Sequence, residues 1–353
     1  MNGLTSTALV LNAPRELAFE ALAQQALGAD EVRINTLFSG VSAGTELSQY
    51  RGTNPFMHRR WDADVRLFKA ATEPSWTYPV RNLGYEEVGE IVEVGSAVKD
   101  LQPGQRVFGT WGHRTHHVAH QDYARDRLMP TGADPRIGIF SHIGAVALNG
   151  VHDAAIRMGD LVVVFGLGVP GQIVAQAARA SGATVVGVDP VKARREMALR
   201  LGADRVMDPT ETSVAETLKS ETGGRGADVC IEVSGAPAAL AEAIRTVAYS
   251  SRVVAMGFFQ GEARGLSLGE EFHHNRIELV CSQISGVAPA ASHRWNKMRL
   301  WQTAVRLQHE GRLNLLPLIT HPVAFSEAPA LLARLDTGDP DVLQAMLTFG
   351  ARE

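Results

Sequence analysis

The sequence predicts an α/β fold in which a doubly wound parallel sheet is inserted into a β-rich, barrel-like domain. The length of 353 residues suits about two domains. In the middle of the chain, short apolar runs alternate with amphipathic helical stretches, whereas the first part has alternating runs separated by glycine and proline turns. We expect residues 1–139 to form the β-rich domain, residues 140–286 the doubly wound domain, and residues 287–353 to return to the first domain.

Six apolar runs predict the strands of the parallel sheet. Their continuous apolarity is typical of strands that are buried on both faces. The runs are residues 161–166, 184–189, 205–208, 228–235, 252–258 and 277–283. Helices are predicted between them, near residues 171–181, 190–201, 213–221 and 237–248. This succession predicts a doubly wound sheet of the Rossmann type.

The outer parts of the chain contain fewer helices. The runs VRINTLFSGVS, EVGEIVEVG and QRVFGTW predict strands of a barrel-like fold. The tail has a long helical stretch near residues 295–310, a strand-like HPVAF, a helix and a last apolar run VLQAMLTF. We assign this whole tail to the first domain.

Composition and charge exclude several classes of protein. A net charge of -4 gives no excess of cations for nucleic acid. No window reaches the roughly 18 apolar residues that span a bilayer, and the N-terminus lacks the pattern of a signal peptide, so we expect a cytoplasmic protein. Cys230 and Cys281 both lie in apolar runs, which predicts buried thiols and neither a disulfide framework nor a cysteine metal site.

The segment GLGVPG, residues 166–171, directly follows a predicted buried strand and opens a helix. In that context Gly166 permits the tight turn, Gly168 lets the backbone approach a pyrophosphate, and Gly171 allows close packing of helix on strand. Val169 and Pro170 complete the turn, and the helix N-terminus favours phosphate groups. The sequence therefore predicts a dinucleotide-binding site.

Asp189 follows the second predicted strand, where a carboxylate can accept hydrogen bonds from the adenosine ribose and repel a 2'-phosphate. This favours NAD over NADP, although Lys192, Arg194 and Arg195 lie close enough to soften that preference. The ends of the fourth and fifth strands are also expected to line the cofactor site, because ligands bind at the carboxyl edge of such sheets. Their residues are Ser234, Gly235, Gly257 and Phe258.

The order of these parts resembles the medium-chain dehydrogenase/reductase superfamily over nearly the whole chain. The resemblance rests on SGVSAGTEL (39–47), GYEEVGEIVEVGSAVKDLQPGQRVF (84–108), the GLGVPG turn and GADVCIEVSG (226–235). LGYEEVG and GEEFHHNR are similar to the group of bacteriochlorophyllide a dehydrogenase. The resemblance implies a GroES-like catalytic domain, an inserted nucleotide domain and a homodimer, and an edge strand at IELVCSQ suits such a dimer.

The chain departs from the zinc-dependent members of that family. Ala43 stands where they carry a catalytic cysteine, and Tyr85 where they carry a histidine. Their third ligand would fall near Ser141 or His142, and their four-cysteine zinc lobe is missing. Catalytic zinc requires three converging ligands, so we predict a metal-free site. The dense histidines from 113 to 120 are expected to diverge along a strand, although Glu46, Glu86 and His142 leave a makeshift metal site open.

The catalytic candidates are Tyr85, His142, Thr45 and Glu86. Tyr85 matches the lost ligand, so the resemblance implies that it faces the nicotinamide; as a proton acceptor, its phenol requires a nearby positive charge to lower the pKa. His142 has an unperturbed pKa near neutrality. The resemblance makes Thr45 a proton relay and Glu86 a carboxylate near the metal position. The alternatives are a space-filling Tyr85, a turn-stabilising Thr45, and a Glu86 paired with Arg33, Arg51 or Arg81.

An insertion after Thr45 is rich in tryptophan, arginine and phenylalanine. Long ordered loops often bind ligands, and this one offers Arg59, Arg60, Trp61 and Trp76 to a polar or ring-shaped substrate; the alternative is a packing or dimer element.

We predict an NAD(H)-dependent, zinc-independent oxidoreductase that interconverts a secondary alcohol, such as a sugar, cyclitol or other polyol, and a ketone. A quinone or enone reductase and a non-catalytic nucleotide-binding protein are the alternatives.

Overall fold

A computed structural model describes residues 5–23, 26–70 and 73–350 of the chain. The chain divides into two units, of which one comprises Met1–His142 with Leu316–Glu353 and the other comprises Ile143–Leu315. Each unit has its own hydrophobic core.

The first unit is rich in β-strands, as predicted. Its N-terminal part contains β1 (Thr5–Ala13), β2 (Glu16–Ala23), β3 (Glu31–Val41), α1 (Thr45–Tyr50), β4 (Arg60–Asp62), β5 (Leu67–Lys69), β6 (Glu87–Val94), β7 (Arg106–Gly109), β8 (His116–His120) and α2 (Gln121–Arg125). Strand β3 pairs antiparallel with β6 and β8, and β6 pairs with β7. The hairpins β1-β2 and β4-β5 form two further small sheets.

The second unit is the predicted doubly wound domain. It contains most of α3 (Ser141–Ala154), then β9 (Leu161–Phe165), α4 (Val169–Ala180), β10 (Thr184–Val188), α5 (Lys192–Arg200), β11 (Arg205–Met207), α6 (Val214–Glu221), β12 (Ala227–Glu232), α7 (Pro237–Thr246), β13 (Val247–Ala255), β14 (Glu278–Cys281) and α8 (Lys297–His309). All six strands are parallel, in the order β11-β10-β9-β12-β13-β14. The central strand β9 is buried from Val162 to Phe165, which explains its continuous apolar sequence.

The chain then returns to the first unit through β15 (Ile319–Ala324), α9 (Ala328–Asp336) and β16 (Gln344–Thr348). Strand β16 pairs antiparallel with β3 and parallel with β15, so the last residues extend the first sheet to the order β15-β16-β3-β6-β7. Short helical turns occur at Pro55–Met57, Pro135–Phe140, Leu268–Phe272, Pro289–Ala291, Leu316–Leu318 and Phe325–Glu327.

The predicted domain boundary at residue 286 is wrong, because α8 belongs to the second unit. Its buried residue Ala304 packs so closely on α3 that a Cβ at Gly144 would lie 2.8 Å from the Ala304 Cβ. Beyond α8, the Gln176 side chain of α4 donates to the Asn314 carbonyl at 3.2 Å and accepts from the Asn314 N–H at 2.8 Å. The amphipathic pattern of α8 predicted a helix but could not show on which core its apolar face packs.

The expectation of two buried thiols is also corrected. Cys230 is buried in the centre of the sheet, whereas Cys281 is exposed. Cys281 lies on β14, the edge strand, whose only partner among the described residues is β13. The apolar run around Cys281 therefore predicted a strand correctly and its burial incorrectly.

Within the described ranges, no helix is both long enough and apolar enough to cross a bilayer.

Candidate functional site

The three glycines after β9 have the geometry expected of a dinucleotide turn. Gly166 has φ +93°, and a Cβ there would lie 2.8 Å from the backbone N of Ser234. A Cβ at Gly171 would lie 1.9 Å from the Gly166 carbonyl oxygen, so only glycine allows α4 to approach β9 this closely. Gly168, in contrast, has no neighbour within 4 Å of a would-be Cβ. Its open backbone is the place where a pyrophosphate can approach.

Helix α4 begins directly after this open glycine. Gly168 is the N-cap and, as a glycine, has no side chain that could cap the helix, while Val169 and Pro170 occupy the first two helical positions. The first turn of any helix leaves N–H groups without an intrahelical acceptor and carries a partial positive charge. The turn therefore fits the phosphates of a dinucleotide.

Asp189 follows β10 and is 2% exposed. One carboxylate oxygen accepts the Leu167 N–H at 2.7 Å, and the other accepts the Val191 N–H at 2.8 Å. The carboxylate thus holds the glycine turn against the end of β10. A carboxylate has about four acceptor positions, so this arrangement leaves capacity for ribose hydroxyls.

The three basic residues near Asp189 are differently engaged. The Arg194 guanidinium lies 3.8 Å from an Asp189 carboxylate oxygen. Arg195 pairs with Asp208 at 2.8 Å, and Lys192 reaches Glu196 at 3.9 Å. Of these three residues, Arg194 is therefore the one whose cation lies next to the Asp189 carboxylate.

The ends of β12 and β13 adjoin through a glutamate that the sequence analysis missed. The buried Glu232 carboxylate accepts the hydroxyl and N–H of Ser234 and the Gly235 N–H at 3.0 Å. Gly235 has φ +72°, and a Cβ at Gly257 would lie 2.2 Å from the Gly235 N. Phe258 follows with 46% exposure. The predicted cofactor residues at these two strand ends thus form one compact turn cluster.

In the first unit, the Tyr85 side chain contacts two other predicted catalytic residues, Thr45 and His142, and also Ser42. Its hydroxyl donates a hydrogen bond to Ser42 Oγ and also contacts the Thr45 side chain. The His142 ring stands edge-on to the Tyr85 ring, with centroids 4.8 Å apart. Desolvation and the nearby Glu86 raise the pKa of Tyr85. The phenol is therefore a neutral hydrogen-bond donor, and the positive neighbour that would lower its pKa is not among the groups that shift it.

Glu86 is 1% exposed and lies beneath this site. The Gln344 amide of β16 lies 3.4 Å from one of its oxygens. Burial, together with the charges of Glu46 and Glu87, raises the pKa of Glu86 well above its usual value. The three arginines considered as its partners pair elsewhere: Arg33 with Glu93, Arg51 with Asp336 and Arg81 with Glu20.

A buried network around His113 is the part of the site that sequence reasoning missed. His113 Nε2 lies 2.8 Å from a Glu46 carboxylate oxygen, and His113 Nδ1 lies 2.6 Å from Ser39 Oγ. Ser39 in turn donates to Glu87 at 3.0 Å. Burial raises the pKa of Glu87 to about 7, although His113 opposes the shift. The only sequence signal was a pair of adjacent glutamates, one of which begins a strand and must face the core.

The other histidines of the run diverge, as the strand period predicts. His117 stacks on Trp111 with centroids 5.4 Å apart, whereas His120 pairs with Asp30 at the surface. Over the described ranges, no three His, Cys, Asp or Glu side chains are grouped so that they could hold a metal ion. At the position of the family's zinc, Ala43 offers no donor and Tyr85 offers a phenol of raised pKa that is bound to Ser42. These groups do not fit a catalytic zinc.

The insertion after α1 forms an aromatic cluster on the β4-β5 hairpin. Trp76 stacks on Phe56 at 4.8 Å, and Trp61 contacts Phe68 at 4.9 Å. Trp61 and Trp76 remain 38% and 36% exposed, and Arg59 and Arg60 are exposed beside them. The buried Asn54 amide ties the start of the insertion to Ser48 of α1 at 2.8 Å. The described part of the insertion thus forms a surface that is anchored to the helix bearing Thr45.

Comparison with known proteins agrees with this architecture. Residues 28–188 match the alcohol dehydrogenase GroES-like domain, and residues 170–301 match the zinc-binding dehydrogenase domain. The chain is 36% identical over 328 residues to D-guloside 3-dehydrogenase of Escherichia coli K12, covering 91% of this chain and 93% of that protein.

Solved structures give the same fold. A protein described as a zinc-binding dehydrogenase from Sinorhizobium meliloti, bound to NADP, matches with a TM-score of 0.78 at 22% identity and covers 98% of this chain and 99% of its own. An alcohol dehydrogenase from Escherichia coli CFT073 with NADH matches with a TM-score of 0.77 at 19% identity over 98% and 100% of the two chains. With the glycine turn and the two-unit architecture, these matches establish that the chain belongs to the medium-chain, zinc-type alcohol dehydrogenase superfamily.

Proposed function

We propose that the protein is an NAD(H)-dependent, zinc-independent oxidoreductase that interconverts a secondary alcohol and a ketone. The observation that carries this proposal is the Tyr85 hydroxyl, which occupies a lost ligand position and lies against Ser42 and Thr45 beside the His142 ring. Such a group of hydroxyls and an imidazole can bind an alcohol oxygen and handle its proton.

The residues of the glycine turn and of the neighbouring strand ends would hold the cofactor. Gly168 and the first turn of α4 receive the pyrophosphate, and Asp189 receives the adenosine ribose. When bound, a nicotinamide ring supplies the hydride acceptor for alcohol oxidation and the hydride donor for ketone reduction. The preference for NAD rests on the carboxylate of Asp189, and the nearby Arg194 reduces it.

Proton transfer falls to the side chains of the first unit. Because its pKa is raised, Tyr85 keeps its proton, and on substrate binding this single proton turns from Ser42 to the substrate oxygen. His142 accepts the proton that the alcohol loses, and Thr45 orients the hydroxyl during this step. Glu86 has a raised pKa and is buried, so it remains neutral beneath the site and is not the base. This arrangement assigns no step to a metal ion, since the donors at the zinc position do not fit one.

The proposed substrate class is a glycoside or a related polyol. The relative that is named D-guloside 3-dehydrogenase acts, by its name, on a sugar derivative. The exposed rings of Trp61 and Trp76 offer flat apolar faces, and Arg59 and Arg60 offer donors to sugar hydroxyls.

We also propose a cytoplasmic homodimer that pairs two β14 edges, since unpaired edge strands are commonly covered by a partner.

The test is a panel of sugars, glycosides, polyols, quinones and enones, assayed with NAD(H) and NADP(H) on protein dialysed against a chelator. The metal content is measured on the same sample. We expect alcohol oxidation with NAD to persist without metal. Stoichiometric zinc that is required for turnover would overturn the zinc-free site. Reduction of enones or quinones alone would replace the proposed reaction, and cofactor binding without any turnover would indicate a nucleotide-binding protein.

A further inference from the structure

His113 is fully buried in the first unit between two carboxylates. Its ring lies 2.8 Å from a Glu46 oxygen at Nε2 and 4.0 Å from a Glu87 oxygen at Nδ1. The side chains of all three residues are at most 1% exposed. Buried charges in proteins are normally paired. The positions of the protons determine which of these three side chains are charged, and therefore whether the cluster is stable.

The hydrogen bonds around Glu87 constrain those protons. Its two oxygens receive the Ser39 hydroxyl at 3.0 Å, the Glu86 N–H at 3.3 Å and the Trp111 N–H at 2.7 Å. The two backbone partners are obligatory donors, and the Ser39 hydroxyl donates as well when Glu87 is ionised, so an ionised Glu87 acts as an acceptor only. The single proton of Ser39 is then directed to Glu87, and the Ser39 oxygen is left to accept from His113 Nδ1 at 2.6 Å.

The other side of the ring meets a second acceptor. Glu46 accepts the Ser42 N–H at 2.8 Å with one oxygen and faces His113 Nε2 with the other. A hydrogen bond to this acceptor oxygen places a proton on Nε2 as well. Burial disfavours the charged ring, but Glu46 and Glu87 favour it and together outweigh burial and the smaller opposing effect of Arg114, so the pKa of His113 is raised.

We infer that His113 is a doubly protonated positioning residue, held between Glu46 and Glu87, which fixes the Ser42–Glu46 turn and thereby the hydroxyls of Ser42 and Thr45 against Tyr85. The connection is direct, since Glu46 binds His113 with one oxygen and the Ser42 N–H with the other. The ring also packs on Gly84, where φ is +94° and a Cβ would lie 2.6 Å from His113 Cε1. His113 thus supports both segments that meet at the Tyr85 hydroxyl. The catalytic consequence rests on the proposed function, but the protonation state does not.

The protonation state can be measured on the whole protein without any substrate. Nitrogen-15 labelling of the histidines and NMR at about pH 8, where a free imidazole is almost entirely neutral, distinguish a doubly protonated ring from a neutral one. We expect the signals that disappear in the His113→Asn variant to show two protonated nitrogens. A ring with one unprotonated nitrogen at that pH would overturn the inference, whether or not the enzyme activity is the one proposed.

The positioning role is tested by steady-state kinetics. We expect His113→Asn to lower kcat about 100-fold, the scale of a small misplacement of reacting groups. The dissociation constant for NADH, which binds through the second unit, stays unchanged. The matched control is His120→Asn, which alters a half-exposed histidine of the same region that pairs with Asp30. An unchanged kcat in a folded His113→Asn variant would refute the role.

If His113→Asn fails to fold, Ser39→Ala provides a milder test. It removes only the acceptor of His113 Nδ1 and the donor to Glu87. We expect a fall in kcat of about tenfold, the equivalent of one hydrogen bond to a charged group. We also expect the NMR signals of the His113 ring to move. Signals and kcat that both equal those of the unmodified protein would contradict the network.

Discussion

The glycine turn of the second unit and the Tyr85 site of the first unit are built in opposite ways. The turn spans six consecutive residues and works through its backbone, because Gly166 and Gly171 leave no space for a side chain. The Tyr85 site works through side chains that come from β3, α1, β6 and the segments near His113 and Gln344. A backbone site is specified by a short motif, whereas a side-chain site is specified by contacts between distant segments.

The largest effect is expected at the Tyr85 hydroxyl. Tyr85→Phe removes the hydroxyl that donates to Ser42 and, in the proposed reaction, to the substrate oxygen, and should lower kcat by about 100- to 1,000-fold, the usual cost of losing one such donor. NADH affinity should not change. The control is Tyr123→Phe, which removes the phenol that accepts the Thr110 N–H elsewhere in the unit. Full activity of the Tyr85→Phe variant would show that this side chain only fills space and that the Tyr85 site is not catalytic.

Two alanine substitutions separate ligand approach from packing in the glycine turn. Gly168→Ala places a methyl group in open space, so the protein should fold normally and lose dinucleotide affinity on the order of 100-fold. Gly171→Ala should lose affinity and also thermal stability, because its Cβ would overlap the Gly166 carbonyl. Calorimetric titration with NADH and thermal unfolding of both variants give the comparison. Equal melting temperatures for the two variants would show that the close approach of α4 to β9 is dispensable.

The partly buried His117 in the first unit is expected to make the stability of the protein depend on pH. Burial lowers the pKa of His117 to about 4, whereas in the unfolded chain it is about 6.5. Between these values the unfolded state binds more protons, so stability falls as the pH is lowered from about 6.5 to 4. His117→Phe keeps a ring on Trp111 and removes this contribution, about 2 kcal/mol after allowing for partial exposure. Denaturant unfolding at several pH values should show a smaller acid loss for the variant. Parallel pH profiles would contradict the burial effect.

The smallest effect concerns the choice of nucleotide. Asp189→Asn keeps the acceptor for one backbone N–H and removes the charge, and we expect the ratio of NAD to NADP affinity to fall about tenfold. Arg194→Ala should move the same ratio in the other direction, because the cation next to the carboxylate is lost. Binding titrations with both nucleotides provide the ratios. If neither substitution alters this ratio, Asp189 and Arg194 do not recognise the adenosine ribose or its 2'-position.

Elements with a local signal were predicted well. The six strands of the parallel sheet, the helices between them and the turn at Gly166–Gly171 all lie where the apolar runs and glycines indicated. The assignment of α8 to the first domain failed, because the identity of its packing partner is not encoded in its own periodicity. The exposure of Cys281 was missed for a similar reason, since the same apolar run occurs in central and edge strands.

The candidate site shows the same division. The resemblance identified Tyr85, His142 and Thr45, and the structure brings Tyr85 together with the other two. It did not indicate that the pKa of Tyr85 is raised, because that shift depends on the nearby Glu86 and on desolvation. His113 was noted only as one of a dense run of histidines, and nothing linked it to Ser39, because the two residues are 74 positions apart in sequence.

The sequence by itself determined the class of fold, the succession of strands and helices along the nucleotide domain and the position of the dinucleotide turn. These features depend on periodicity and on glycine conformations, both of which are properties of short segments. Only the tertiary structure decided which domain holds α8, which thiol is exposed and which groups share protons around Glu46, Glu87 and His113. Burial and electrostatic coupling arise from contacts between residues that are far apart along the chain, and a single sequence does not display those contacts.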